Sequence, residues 1–536
     1  MNSRTHRTGN IKALAVGSLA VAVFLVFTLW APWSRRGVHS EEELLLYCAA
    51  GISQPVDAVV ADYQRQYGVK VRVEYDASGK LLAKIRAAGG RGELFLAGDP
   101  SYMVEARKWN LVAETIPVAR IRPVLIVHQA TQERLREEGR PVGGLDDLLR
   151  DDLSVVLANP EGASIGQLGR ELLRTSGHWG DLERRMREHR QAKVSTVGTV
   201  NEVAQVVKLR PDHVGIVWDA TAAQLTGVEV VHVEAFDEAV QEATVGVLAS
   251  ARGKRATAAL QFARYLTARD KGQQRFAEFS FEPIPDADVW AEHPQIMFMS
   301  GAMLKPGIDE TLKEFQAREG VTINTSYNGC GILVAQMQSI RAGGSSHRFP
   351  DAYFSCDLSF MSKVQHWFDP AETVSENDMV LIVKKGNPRE IASLEDLARP
   401  ELKVGLGHPE NSALGALTDA LLKRAGLHDR VYAEGWRDHI VHTDAGHDLV
   451  NKLRTGAIDL AVVYRSNAES TPENLEKYID LVEIKAGDAI ARQPFAIASE
   501  SEHKYLMQRL YAALTADTTA ERFRSIGFRW VHDSEQ

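Results

Sequence analysis

Short runs rich in β-branched and aromatic residues, among them VKVRVEY, LSVVLA and VGIVW, punctuate most of the chain. Between them lie segments of about 10 to 15 residues in which apolar positions recur every three or four places. The first pattern predicts strands and the second amphipathic helices. Their alternation predicts an α/β fold of mostly parallel sheets flanked by helices. One stretch breaks the pattern: from Ala13 to Trp33 the sequence ALAVGSLAVAVFLVFTLWAPW carries no charge. As a helix it would be about 30 Å long, the thickness of a bilayer core. It predicts a transmembrane anchor, with Arg4, Arg7 and Lys12 before it, Arg35 and Arg36 after it, and Trp30 and Trp33 at the far interface. A cleavable signal is the competing reading, because small residues precede Glu41. Either reading places the remainder outside the cytoplasm.

The pattern after residue 40 is written twice. LLLYCAAGISQPVDAVVADYQRQYGVKVRVEY pairs with IMFMSGAMLKPGIDETLKEFQAREGVTINTSY, and YDASGKLLAKIRAAG with YNGCGILVAQMQSIRAGG. Further on, ELFLAGD pairs with DAYFSCD, LANPEGASIG with LGHPENSALG, and HVGIVWDATA with DLAVVYRSNA, in the same order. A tandem duplication is the simplest source of such a correspondence. The expected organisation is a tail and anchor over 1–40, a first unit over 41–290 and a second over 291–536.

Composition narrows the function. Over 536 residues, 44% hydrophobic and 25% charged residues are ordinary globular usage, and a net charge of −9 without a Lys/Arg stripe argues against nucleic acid. No GxxxxGK, HExxH or paired acid–base signature is present, so no catalytic residue, metal ligand or cofactor is assigned. Cys48, Cys330 and Cys356 are too few for a disulfide scaffold. In α/β folds ligands meet the carboxyl ends of strands, where loops enter helices. The repeated phrases fall there, so that backbone N–H groups and a positive dipole end face a cleft.

In the order and spacing of these motifs the chain resembles the periplasmic molybdate-binding proteins, within the type 2 solute-binding proteins of ABC importers. The resemblance implies two tandem bilobal units, each closing on a small oxyanion held by backbone N–H groups and a few hydroxyls. It also implies an ABC permease as partner and a periplasmic location for the bulk of a protein tethered to the inner membrane of a bacterial envelope. By position it assigns ligand contact to Gly51, Ser78, Ile165, Val200 and Trp218 in the first unit. In the second it assigns Ala302, Cys330, Leu414, Gly446 and Tyr464. The family's first-loop hydroxyl is missing from both units, its second-loop serine is Ser78 but becomes Cys330, and its closing tyrosine becomes Trp218 but persists as Tyr464. Ser164, Ser412, Asn411 or the Trp218 N–H could supply substitute donors.

Other residues have plainer expectations. Asp99 and Asp357 read as helix caps, and Met297, Met299 and Met303 as alternating strand residues of a core. Cys330 and Cys356 are candidates for a disulfide clamping two cleft loops. Free thiols, a soft-metal site using Cys330, Cys356 and Met303 or a His, and a thiol-redox site in the second unit are the alternatives.

Overall fold

A computed structural model describes residues 43–187, 193–343, 348–433, 437–486 and 489–531. The stretch read as an anchor lies outside them. Among the described residues no helix is long and apolar enough to cross a membrane.

The first half contributes β1 (Leu44–Ala49), β2 (Val71–Asp76), β3 (Leu94–Ala97), β4 (Val112–Ile121), β5 (Pro123–His128), β6 (Ser154–Ala158), β7 (Val194–Val197), β8 (His213–Trp218), β9 (Val228–Val231) and β10 (Gln241–Leu248). They form two five-stranded sheets, ordered β2-β1-β3-β10-β4 and β7-β6-β8-β5-β9, one in each lobe. The chain leaves the first lobe through β4, builds the second with β5 to β9, and returns through β10.

The second half repeats this with β11 (Gln295–Gly301), β12 (Thr322–Asn328), β13 (Ala352–Phe354), β14 (Glu372–Lys384), β15 (Val404–Gly407), β16 (Ile440–Thr443), β17 (Leu460–Tyr464), β18 (Ile479–Glu483), β19 (Ile490–Ile497) and β20 (Arg529–Trp530). Here β14 is one strand of 13 residues serving both lobes. Its start pairs with β19, and its end with β17 and β18. The corresponding segment of the first half breaks at Arg122 before Pro123, which has no N–H to donate. Met379 occupies that place in the second half and donates its N–H to Ala489 O at 2.8 Å.

The sheets are mixed rather than mostly parallel, which corrects the expectation. β1 pairs in parallel with β2 and β3, and β6 with β7 and β8. The strands nearest the lobe crossing, β4, β5, β9 and β10, pair antiparallel. A chain that crosses between lobes and comes back must run some strands against the others, and the alternation pattern does not reveal that.

The duplication is visible in local detail. The helix Ser53–Tyr67 buries Val56, Val59, Val60 and Tyr63 along one stripe and stops at Gly68, whose φ of 69° is left-handed. Its counterpart Lys305–Glu319 stops at Gly320 with φ 66°. Glycine reaches that conformation without the Cβ penalty. Tyr75 donates to Asp57 at 2.6 Å, and Tyr327 to Asp309 at 2.7 Å.

The two halves pack through their first lobes. Glu319 is buried between Arg264 of the first half, at 2.8 Å, and Arg509 of the second, at 2.7 Å. Burial works to raise the Glu319 pKa, but the two guanidiniums outweigh it and hold the carboxyl below its usual range. Asp288, in the segment joining the halves, accepts the N–H groups of Tyr505 and Leu506 at the start of the Lys504–Leu514 helix.

Candidate functional site

Each half encloses a small cavity between its lobes. In the first, the wall is built by helix starts. The 3-10 turn Ala50–Ile52 leads into the Ser53 helix, and the helices Ser78–Ala87, Ser164–Thr175 and Val200–Leu209 begin at the same place. First-turn amides have no partner within their own helix, so these starts offer N–H donors and positive dipole ends. The strand-to-helix order dictates the convergence, because β1, β2, β6 and β7 all end at the cleft.

The five residues assigned by position in this half, Gly51, Ser78, Ile165, Val200 and Trp218, and the candidate substitute donor Ser164 all line the cavity. Its volume is about 30 Å³, room for about two or three water-sized bodies. Among the described residues none that lines it is ionisable. Ser78 Oγ accepts from Gly98 N–H at 3.3 Å and from the Ser164 hydroxyl at 3.1 Å. Its own proton is therefore left for a further acceptor.

The lobes are closed on each other. Gly79 N–H donates to Gly162 O at 3.0 Å, and the Asn201 amide to Ala50 O at 2.8 Å. A Cβ at residue 79 would lie 2.9 Å from Gly162 O, and one at residue 51 would lie 2.8 Å from Val200 Cγ1. Glycine at these places is what lets the backbones approach.

The second cavity, about 40 Å³, repeats the frame. Gly331 N–H donates to Asn411 O at 3.2 Å, the counterpart of the Gly79 contact. Ala302, Cys330, Leu414, Gly446 and Tyr464 all line it, together with Cys356 and Ser412. The side chains differ throughout. Cys330 Sγ accepts from Cys356 N–H at 3.1 Å, as Ser78 Oγ does from Gly98, and is joined to Cys356 Sγ, with Cα atoms 6.3 Å apart. Ala413 stands where the first half has Ser164. Asp444 and His447 reach the cavity where Gly198 and Asn201 stand in the first half. Tyr464 OH is buried without a hydrogen-bond partner, and burial pushes its pKa well above the usual phenol range.

Several contacts escaped sequence reading. Met303 packs against the core as expected, but it sits in the 3-10 turn Ala302–Leu304 rather than in a strand and also lines the second cleft, which corrects the strand expectation. By position Met303 stands where the first half has Gly51, and Gly446 where it has Val200, and both line the second cavity. The closing contacts of Gly162 and Asn411 also went unread; their only signal was the shared Pro-Glu that precedes both. Asp99 and Asp357 accept helix-start N–H groups, from Ser101 and Ser359.

A sequence model of the family described as "Bacterial extracellular solute-binding protein" matches residues 44–282 and again residues 296–529. A "Putative binding protein" of Haemophilus influenzae is 27% identical over 143 residues, covering 26% of this chain and 54% of the relative. The "Molybdate-binding protein ModA" of Mycobacterium tuberculosis is 26% identical over 176 residues, 33% of this chain and 62% of the relative. The chain thus spans 54% to 62% of the length of these curated relatives. Among solved structures, the substrate-binding domain of a putative molybdenum ABC transporter from Clostridium difficile is 22% identical, covering 45% of this chain and 99% of its own, with a TM-score of 0.34. The periplasmic molybdate-binding protein of Azotobacter vinelandii is 16% identical, covering 44% and 98%, at 0.35. The sulfate-binding protein SubI of Mycobacterium tuberculosis is 17% identical, covering 45% and 88%, at 0.37.

Proposed function

Because the chain belongs to the bacterial extracellular solute-binding protein family, matched over both halves, we propose that it is a tandem solute receptor for a small oxyanion. The first unit, 41–290, closes on a tetrahedral oxyanion such as molybdate, tungstate or sulfate. The second, 291–536, is a unit of the same kind with altered walls. The N-terminal segment tethers the protein to the inner membrane, with both units in the periplasm, and the closed form is presented to an ABC permease. The family acts by binding, not by catalysis.

The observation that carries this reading is the first cavity itself. Several helix starts converge on about 30 Å³ whose lining, among the described residues, holds no ionisable side chain. Such a wall favours an anion through N–H groups and dipoles, and it has no buried carboxylate to repel one. The size suits a solute of a few heavy atoms, since pockets for organic ligands run to about 300–1,000 Å³.

Calorimetric titration of the full chain with molybdate, tungstate and sulfate tests it. At least one should bind saturably and, at 100 times its Kd, stabilise the protein by about 2.7 kcal/mol. Ser78→Ala removes a donor to a charged ligand and should weaken the first site by about 10- to 100-fold. No binding of any oxyanion, or no effect of Ser78→Ala, would overturn the reading for this cleft.

A further inference from the structure

The second cleft carries chemistry that the oxyanion reading does not use. Two sulfurs, those of Cys330 and Cys356, line it joined to each other, and the Met303 thioether lines the same cavity. Room is made for them. A Cβ on Gly301 would lie 2.3 Å from Cys356 Sγ and 3.1 Å from Cys330 Sγ. At the corresponding places the first half has Ala49 and Gly98, with no sulfur. A third observation is independent of the cysteines: the Tyr464 hydroxyl, in a residue 4% exposed, lines this cavity and meets no partner.

We propose that the second cleft is a redox-switched site for a soft monovalent metal cation of the Cu⁺ class. Cys330 and Cys356 bind it as thiolates, with Met303 as a thioether donor, once a dithiol reductant has opened the disulfide. The dithiol gives two electrons and two protons to the S–S bond and leaves as its own disulfide, so Cys330 and Cys356 become thiols. The cation then displaces both thiol protons to solvent. Two metal–sulfur bonds form, and the centre has a net charge of −1.

The surroundings fit such a centre. Thiolate and thioether are the ligands that select soft cations. An anionic complex is what converging helix starts stabilise, and the Cys330–Arg341 helix begins at one of the two sulfurs, where a thiolate is favoured. Cys356 N–H already lies 3.1 Å from Cys330 Sγ. Tyr464 OH supplies a second donor for a sulfur lone pair. Among the described residues no cluster of three or more His, Cys, Asp and Glu side chains is arranged for a metal ion; here the third donor is a thioether. With the disulfide closed the two sulfurs carry no charge, while Asp444 and His447 remain in the lining.

The full chain, as the disulfide form and after reduction by a dithiol that is then removed without air, is titrated with Cu⁺ against a chromophoric Cu⁺ chelator. One equivalent should be taken up after reduction and none before. Cys330→Ser and Cys356→Ser should each abolish uptake. Met303→Leu, which leaves both thiols in place, should weaken it by about tenfold. Cys48→Ala, at the buried thiol of β1, should leave it unchanged. Equal uptake in both redox states, or uptake undiminished by Cys330→Ser, overturns the proposal. Molybdate titration of the same samples separates the two readings. Oxyanion binding without copper uptake ends this proposal alone, and copper uptake without oxyanion binding ends the oxyanion reading alone.

Discussion

The two clefts share a frame and almost no side chains. In both, a glycine one residue into a helix donates its N–H across the lobes, Gly79 to Gly162 O and Gly331 to Asn411 O. In both, a β-heteroatom at the preceding residue accepts an N–H from the next loop, Ser78 Oγ from Gly98 and Cys330 Sγ from Cys356. Yet Gly51, Val200 and Trp218 become Met303, Gly446 and Tyr464, the Ser164 hydroxyl is lost to Ala413, and a disulfide joins Cys330, at the place of Ser78, to Cys356, at the place of Gly98. The frame survives because backbone groups make it. Side chains on such a frame are free to change as long as volume is conserved across the gap, which is how one architecture can present two chemistries.

The largest expected effect comes from separating the halves so that each can be compared alone. Glu319→Gln leaves Arg264 and Arg509 buried together without the carboxylate that bridges them. Breaking a buried ion pair from one side costs about 3–5 kcal/mol. Denaturant unfolding should show that loss, with the halves melting apart in calorimetry. A variant that unfolds like the parent would mean the buried triad does not couple them.

A smaller effect tests whether bulk was exchanged across the cleft. Gly51→Met puts a side chain against Val200, where even a Cβ would come within 2.8 Å of Cγ1. Overpacking of this kind costs about 1–3 kcal/mol, so oxyanion affinity of the first cleft should fall by about 10- to 100-fold. Adding Val200→Gly reproduces the arrangement of the second half and should recover most of the loss. If the double variant binds no better than the single, the exchange is not what lets that cleft close.

Much of this was legible before any coordinates. The repeated phrases located both clefts, because a Gly-flanked turn before an apolar stripe at helical spacing marks a strand end and a helix start. All eleven residues assigned to the clefts do line them. What could not be read was what depends on the other lobe. Periodicity says which face of an element is buried but not what it meets, so it places Met303 in a strand and is silent on the contact Gly162 makes across the lobes. Strand direction was also out of reach, since Val-rich runs look alike whichever way the chain traverses them. The sequence does carry that difference at one place, where Pro123 against Met379 distinguishes a broken strand from the continuous β14.

The smallest expected effect concerns the rings that close the two clefts. Tyr464 OH is buried without a partner. A buried hydroxyl in that state costs about 1–3 kcal/mol, so removing it should help the empty protein rather than harm it. Burial keeps the phenol neutral by pushing its pKa well above the usual range, so it is a donor and not a competing anion when a guest arrives. Tyr464→Phe should therefore raise the stability of the ligand-free chain by about 1 kcal/mol, measured by denaturant unfolding, while weakening any anion bound in the second cleft. The two changes have opposite signs, which separates a role in binding from one in packing. Trp218 occupies the same place in the first half, where its ring lines the cavity beside Gly51. If Tyr464→Phe instead destabilises the empty protein, the hydroxyl already has a partner there, and its role as a donor waiting for a guest fails.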